Sequence, residues 1–140
     1  MYVNGIGRTK FGNLSKSLIE LAYEAMFNAI EDSPLNIKDI DAIYVSNFLG
    51  GPLNGQLHFN SIIASLLPSF NIPIIRIETA CASSSVALNQ AINSLKKTPN
   101  IMIIGVEKMT GTKLMSPTDA IAMAGDHEND YEQGLKLKLK

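Results

Sequence analysis

The chain has a single cysteine among 140 residues. That excludes an internal disulfide and a cysteine-rich metal site, and it fits a reducing compartment. Long apolar runs are also missing. No stretch approaches the eighteen or so residues of a membrane-spanning helix, and Met1 to Phe11 contains no extended apolar segment of the kind that drives secretion. Basic residues form no block before the last few positions, and the net charge is −1. Neither a nucleic-acid stripe nor a polybasic membrane patch is indicated, so the expected setting is cytoplasmic, with no nucleic acid and no membrane as partner. Gly5 and Gly7 are not followed by a third glycine, because Lys10 stands at that spacing, and a dinucleotide fingerprint is absent. At 46% apolar and 18% charged, what remains has the make-up of one well-packed domain.

Apolar periodicity divides the chain into alternating strands and helices. Tyr2 to Gly7 reads as a short first strand ending in a tight turn. Ser17 to Ile30 reads as a helix, with Leu18, Leu21, Ala22, Ala25, Met26, Ala29 and Ile30 on one stripe. Ser17 and Glu20 make a capping-box pattern at its start, and Asp32-Ser33-Pro34 closes it. Asn36 to Asp41 is a polar turn and Ala42 to Asn47 a buried strand. Gly50 to Gly55 is expected to be a loop, and Gln56 to Leu67 a helix stopped by Pro68. His58 on that segment lacks a neighbouring ligand partner and is expected to be structural. Ile72 to Glu78 is a third strand. A helix from Ala82 to about Lys97 follows, with Leu88, Ala91, Ile92 and Leu95 as its buried stripe, and Ile101 to Val106 is a fourth strand. Such alternation implies an α/β fold, a mostly parallel sheet covered by helices on both faces. Past Glu107 the periodicity weakens. Asp126-His127-Glu128-Asn129-Asp130 lacks metal-ligand spacing and reads as a solvated acidic loop, while Leu135 to Lys140 alternates strictly, which fits an amphipathic strand and an unstructured end equally.

The only cysteine, Cys81, lies where the third strand runs into the third helix, among Thr79, Ala80, Ala82 and the serines Ser83, Ser84 and Ser85. A thiol in the first turn of a helix would meet free backbone N–H groups and the positive end of the dipole, which favour a thiolate. In a parallel sheet that position is also where ligands bind, beyond the carboxyl ends of the strands.

These residues carry a family resemblance. Glu78-Thr79-Ala80-Cys81-Ala82-Ser83-Ser84-Ser85, with Gly105-Val106-Glu107-Lys108-Met109-Thr110 downstream, resembles the thiolases, and within them the sterol-carrier-type and acetyl-CoA acetyltransferase-like branch. Gly5 to Gly12, Gly50-Gly51 with Gly55-Gln56, and Ala124 to Glu128 continue the likeness to about Gly134. It implies a thiolase-like fold, the N-terminal βαβαβα(β) half, with a half-domain over 1–107, the start of a loop domain over 108–134 and an unmatched Leu/Lys tail over 135–140. The resemblance makes Cys81 the catalytic nucleophile, acylated by an acyl-CoA, with its backbone N–H supplying half of an oxyanion hole. No bound cofactor is implied; coenzyme A thioesters are the substrates. It further implies a homodimer paired through the third strand. The family is longer, and its activating histidine and acid/base residue come from a second half. Neither His58 nor His127 lies in a matching motif, so the chain is expected to be an N-terminal fragment, inactive alone. Its partner would be a separately encoded C-terminal half or another assembly subunit. Two other readings stand beside this one: a β-ketoacyl synthase relative, from which Glu107-Lys108-Met109 points away, and a non-catalytic subunit.

Overall fold

A computed structural model describes residues 1–67, 71–126, 128 and 129. Helix α1 (Leu18–Glu31) begins with the expected capping box, Ser17 accepting from the Glu20 N–H and the Glu20 carboxylate accepting from the Ser17 N–H. A 3-10 turn (Ile37–Asp39) leads to β1 (Ala42–Ser46), all of whose residues are buried. Helices α2 (Gly50–Asn54) and α3 (Phe59–Ser65) precede β2 (Ile74–Ile77). Then come α4 (Ser83–Ser94), β3 (Ile101–Gly105) and α5 (Pro117–Ala122). The strands form one parallel sheet in the order β2-β1-β3.

Period-two alternation sends neighbouring residues of β1 to opposite layers. Ile43 and Val45 join Met102, Ile104, Phe59, Ile63 and the apolar face of α1 in the main core. Tyr44 faces the other way, onto Ala87 and Ala91 of α4. The sheet is thus covered on both faces, as a buried parallel sheet requires. A third, smaller cluster, Leu49, Leu53 and Ala120, packs α2 against α5. Among the described residues no helix is long and apolar enough to cross a membrane.

Four segments differ from their sequence reading. Tyr2 to Gly7 belongs to no strand; it runs extended beside α1, with the Ile6 N–H bonded to the Asp32 carboxylate. Gly50 to Asn54 is helical despite its glycines and proline, because the Asn47 side-chain oxygen caps the Gly50 N–H at 3.0 Å and Leu53 is buried. Helix α4 buries its small residues, Ser83 against the elbow and Ala87 and Ala91 against Tyr44 of the sheet, and leaves Leu88 and Ile92 48% and 42% exposed. Close approach of helix and sheet selects small side chains there, which a search for large apolar residues overlooks. The stretch past Glu107 contains α5, capped by Ser116 with proline at its first turn. Pro68, His127 and the 135–140 tail lie outside the described residues.

Candidate functional site

The carboxyl ends of the three strands gather the polar residues of interest. Cys81 is exposed, between β2 and α4. Thr79 to Ser83 forms a tight reversal in which the Ala82 N–H bonds to the Thr79 carbonyl at 3.1 Å and the Ser83 N–H to the Ala80 carbonyl at 3.2 Å. Ala80 has a φ of +49°, a left-handed conformation that a residue with a Cβ adopts only when its surroundings hold it. Two side chains do so. The Glu78 carboxylate accepts from the Ala80 N–H at 2.7 Å, and buried Ser83 accepts from the Thr79 N–H at 2.9 Å while donating to the Ala80 carbonyl at 2.7 Å.

This reversal corrects one expectation. Cys81 is not in the first turn of the helix. It comes one residue before the N-cap Ala82, whose carbonyl accepts the Val86 N–H to start the helical ladder. The elbow presents the thiol outward from the end of a strand, ahead of the helix. The start of α4 is fixed on β1 through the hydroxyl pair Ser46 and Ser84, 2.8 Å apart.

A second knot of contacts joins all three strand ends and was invisible to periodicity. Buried Asn47 donates to the Val106 carbonyl at 2.8 Å and to the Glu107 carboxylate at 3.2 Å, while its own oxygen caps Gly50. Glu107 also accepts the N–H groups of Phe48 and Leu49. Arg76 of β2 donates to the Asn47 carbonyl at 2.9 Å and to the Leu57 carbonyl at 2.9 Å. Gly50 is required here, since a Cβ would stand 2.1 Å from the Asn47 oxygen. The signals available in the sequence were the Asn47-to-Gly50 spacing, which suits a side-chain cap, and a carboxylate directly after an apolar strand. Among the described residues no buried side-chain polar atom lacks a hydrogen-bond partner.

Burial pushes the Glu107 carboxyl above its ordinary value of 4.5, against the opposing pull of the Phe48 and Leu49 N–H groups and Arg76; the Glu78 charge adds to the rise. Solvent still reaches part of this side chain, so the shift fixes a direction and no large energy. Just above pH 4.5 the folded chain holds this proton while the unfolded chain has lost it. Stability is therefore expected to decline as the pH rises through the folded value, then to level off. Glu107→Gln should flatten that slope in urea melts taken at successive pH values. An unchanged slope would assign it to another group.

Other candidates are not drawn together. His58 occupies the exposed N-cap position of α3 without capping it. Asp126 bonds the Asn129 backbone and side chain, closing a local turn, and its carboxyl is held below its usual range chiefly by the Asn129 side chain. Among the described residues no group of histidine, cysteine and carboxylate side chains is arranged to hold a metal ion.

The fold is thus an α/β one, a parallel sheet with an exposed cysteine on a held, left-handed turn beyond the carboxyl end of β2. Residues 1–139 match the thiolase N-terminal domain family, and the chain belongs to it. It is 40% identical over 136 residues to an acetyl-CoA acetyltransferase from Methanothermobacter thermautotrophicus, covering 95% of this chain and 35% of the relative. It is 41% identical over 127 residues to an acetyl-CoA acetyltransferase from Methanocaldococcus jannaschii, covering 89% of this chain and 32% of that protein. A benzoylsuccinyl-CoA thiolase subunit from Thauera aromatica is 26% identical over 124 residues, 89% of this chain and 31% of the subunit. The chain thus spans about a third of the length of the relatives it matches.

Proposed function

We propose that this chain carries the nucleophile of a thiolase-type acyltransferase, with Cys81 as the catalytic residue. The observation that carries the reading is the exposed cysteine on a held, left-handed elbow within a thiolase N-terminal domain. In the proposed step the Cys81 thiol gives up its proton and its sulfur bonds to the carbonyl carbon of an acyl-CoA. The tetrahedral oxyanion is met by the Cys81 backbone N–H. The bond to the coenzyme sulfur then breaks, and coenzyme A leaves with a proton. A second acyl-CoA, deprotonated at its α-carbon, attacks the acylated cysteine in a Claisen condensation; thiolysis of a 3-ketoacyl-CoA is the reverse.

The proton transfers need a base beside the sulfur. The sequence has two histidines: His58 is exposed at the start of α3 and has no ion-pair partner among the described residues, and His127 lies outside them. Neither stands in a family catalytic motif, so the base is assigned to the polypeptide that completes the enzyme and the chain alone is expected to turn over no substrate. Pairing of two copies along the free edge of β2 is supported by Ile75, 48% exposed on that edge strand.

The test is intact mass after incubation with acetyl-CoA, with the chain supplied with the C-terminal portion of an acetyl-CoA acetyltransferase relative. One acetyl group mapping to Cys81 is expected. No adduct in the completed assembly, or an adduct on another residue, would overturn the reading.

A further inference from the structure

We infer that Glu78 is a positioning residue for acyl transfer, holding the peptide before Cys81 so that the Cys81 N–H faces outward with no partner of its own. The inference rests on the reading of Cys81 as the nucleophile and extends it to the residue that sets the cysteine's backbone donor.

Five successive amides make up the elbow, and four of them are bonded. The Thr79 N–H goes to the Ser83 hydroxyl at 2.9 Å and the Ala80 N–H to the Glu78 carboxylate at 2.7 Å. The Ala82 N–H goes to the Thr79 carbonyl at 3.1 Å, and the Ser83 N–H to the Ala80 carbonyl at 3.2 Å. Among the described residues the Cys81 N–H, alone of the five, has no partner. Its direction follows from the other end of its own peptide. A trans peptide points its carbonyl and its N–H opposite ways. The Ala80 carbonyl is drawn back to the start of α4, where it accepts from both the hydroxyl and the N–H of Ser83. The Cys81 N–H therefore points away from the helix. An acyl carbonyl reaching the thiol meets there a donor that has no other bond to break, which is what preorganised stabilisation of an oxyanion requires.

The arrangement stands only while Ala80 stays left-handed, at φ +49°. An alanine does not adopt that region on its own, because its Cβ crowds the neighbouring carbonyl. Glu78 supplies a charge-assisted bond that holds it, reaching two residues along the chain much as an aspartate does in a turn. Without that acceptor Ala80 relaxes to negative φ, the peptide between Ala80 and Cys81 turns, and the donor swings with it. Ser83 is the other half of the clamp, but it is buried and begins α4, so its removal would disturb the helix as well. Glu78 is exposed and belongs to no core cluster, so its removal leaves the packing of the domain intact. Two substitutions separate the roles a carboxylate can play here. A glutamine keeps an acceptor oxygen and drops the charge, and a glycine at position 80 adopts positive φ without a clamp.

The assay is the rate of Cys81 acetylation by acetyl-CoA, followed by quenched intact mass on the chain completed with the C-terminal portion of an acetyl-CoA acetyltransferase relative. Glu78→Ala should slow acetylation by about tenfold or more, approaching the roughly 10²–10³-fold lost when a whole oxyanion donor is removed. Alkylation of the same thiol by iodoacetamide forms no oxyanion, so its rate should stay within about threefold of the parent. Glu78→Gln, and Glu78→Ala combined with Ala80→Gly, should each return acetylation to within about threefold of the parent. Equal acetylation of Glu78→Ala and the parent would overturn the inference while leaving the nucleophile in place. A parallel fall in alkylation would also overturn it, by moving the effect to the thiol. Glu78→Gln as slow as Glu78→Ala would do so by assigning the effect to charge, and failure of the Ala80→Gly rescue by removing the left-handed turn from the account. A parent that takes up no acetyl group at Cys81 would overturn the cysteine reading itself, and this inference with it.

Discussion

Cys81→Ala, introduced into the completed assembly, is expected to abolish acyl transfer while leaving the melting temperature of the domain unchanged. Removing a catalytic nucleophile costs on the order of 10⁶-fold in turnover. The stability half of the expectation comes from the geometry. Cys81 is exposed and belongs to none of the core clusters. The contacts that hold the elbow come from Glu78 and Ser83 and do not involve the thiol. Turnover and melting are read on the same preparation. Residual activity within about tenfold of the parent would remove Cys81 from the mechanism. A large fall in melting temperature would show that its importance is structural.

Phe59→Ala should have the largest effect on folding. Phe59 opens α3, is 0% exposed, and packs with Ile43, Val45 and Ile63 at the centre of the main core. Truncating a buried phenylalanine costs about 3–5 kcal/mol, from lost transfer energy and from the cavity left behind. A domain of this size has roughly 5–15 kcal/mol in all, so anything from about a fifth of its stability to all of it goes with one ring. Urea denaturation followed by circular dichroism measures the loss. A change below about 1 kcal/mol would mean that the core collapses around the gap, or that Phe59 is not packed as described.

The same residues show which parts of the molecule can be read from sequence. Helix α1 was legible because its signals are local: a capping box and a stripe at three- and four-residue steps. The strands β1, β2 and β3 were legible because each is short, apolar and bounded by breakers. Strand β2 lies at one end of the sheet order, a position that its own residues do not encode. Helix α4 was found but rotated in the reading, which set Leu88 and Ile92 beside Ala91 on the buried stripe, since hydrophobicity ranks them above Ala87, which packs on Tyr44 with Ala91. Helix α2 was missed because its cap and its buried Leu53 outweigh the poor propensity of two glycines and a proline. For the candidate site, the position of Cys81 between a strand and a helix was legible in the sequence, and its catalytic role is the proposal made above. The grip of Glu107 on Phe48, Leu49 and Asn47 joins residues nearly sixty positions apart, and no local pattern encodes such a contact.

The placement of β1 has a consequence for how this chain comes off the ribosome. The central strand is made early, yet Ile43 has its partners in Ile74 and Met102, which are synthesised later. Until the second of these emerges, a strand that the fold buries throughout carries an unsatisfied edge in a nascent chain. Parallel pairing of this kind cannot begin as a hairpin and is slow to close. The interval between the translation of Ala42 and that of Gly105 is thus a window of exposure to aggregation and a place for holding chaperones to act.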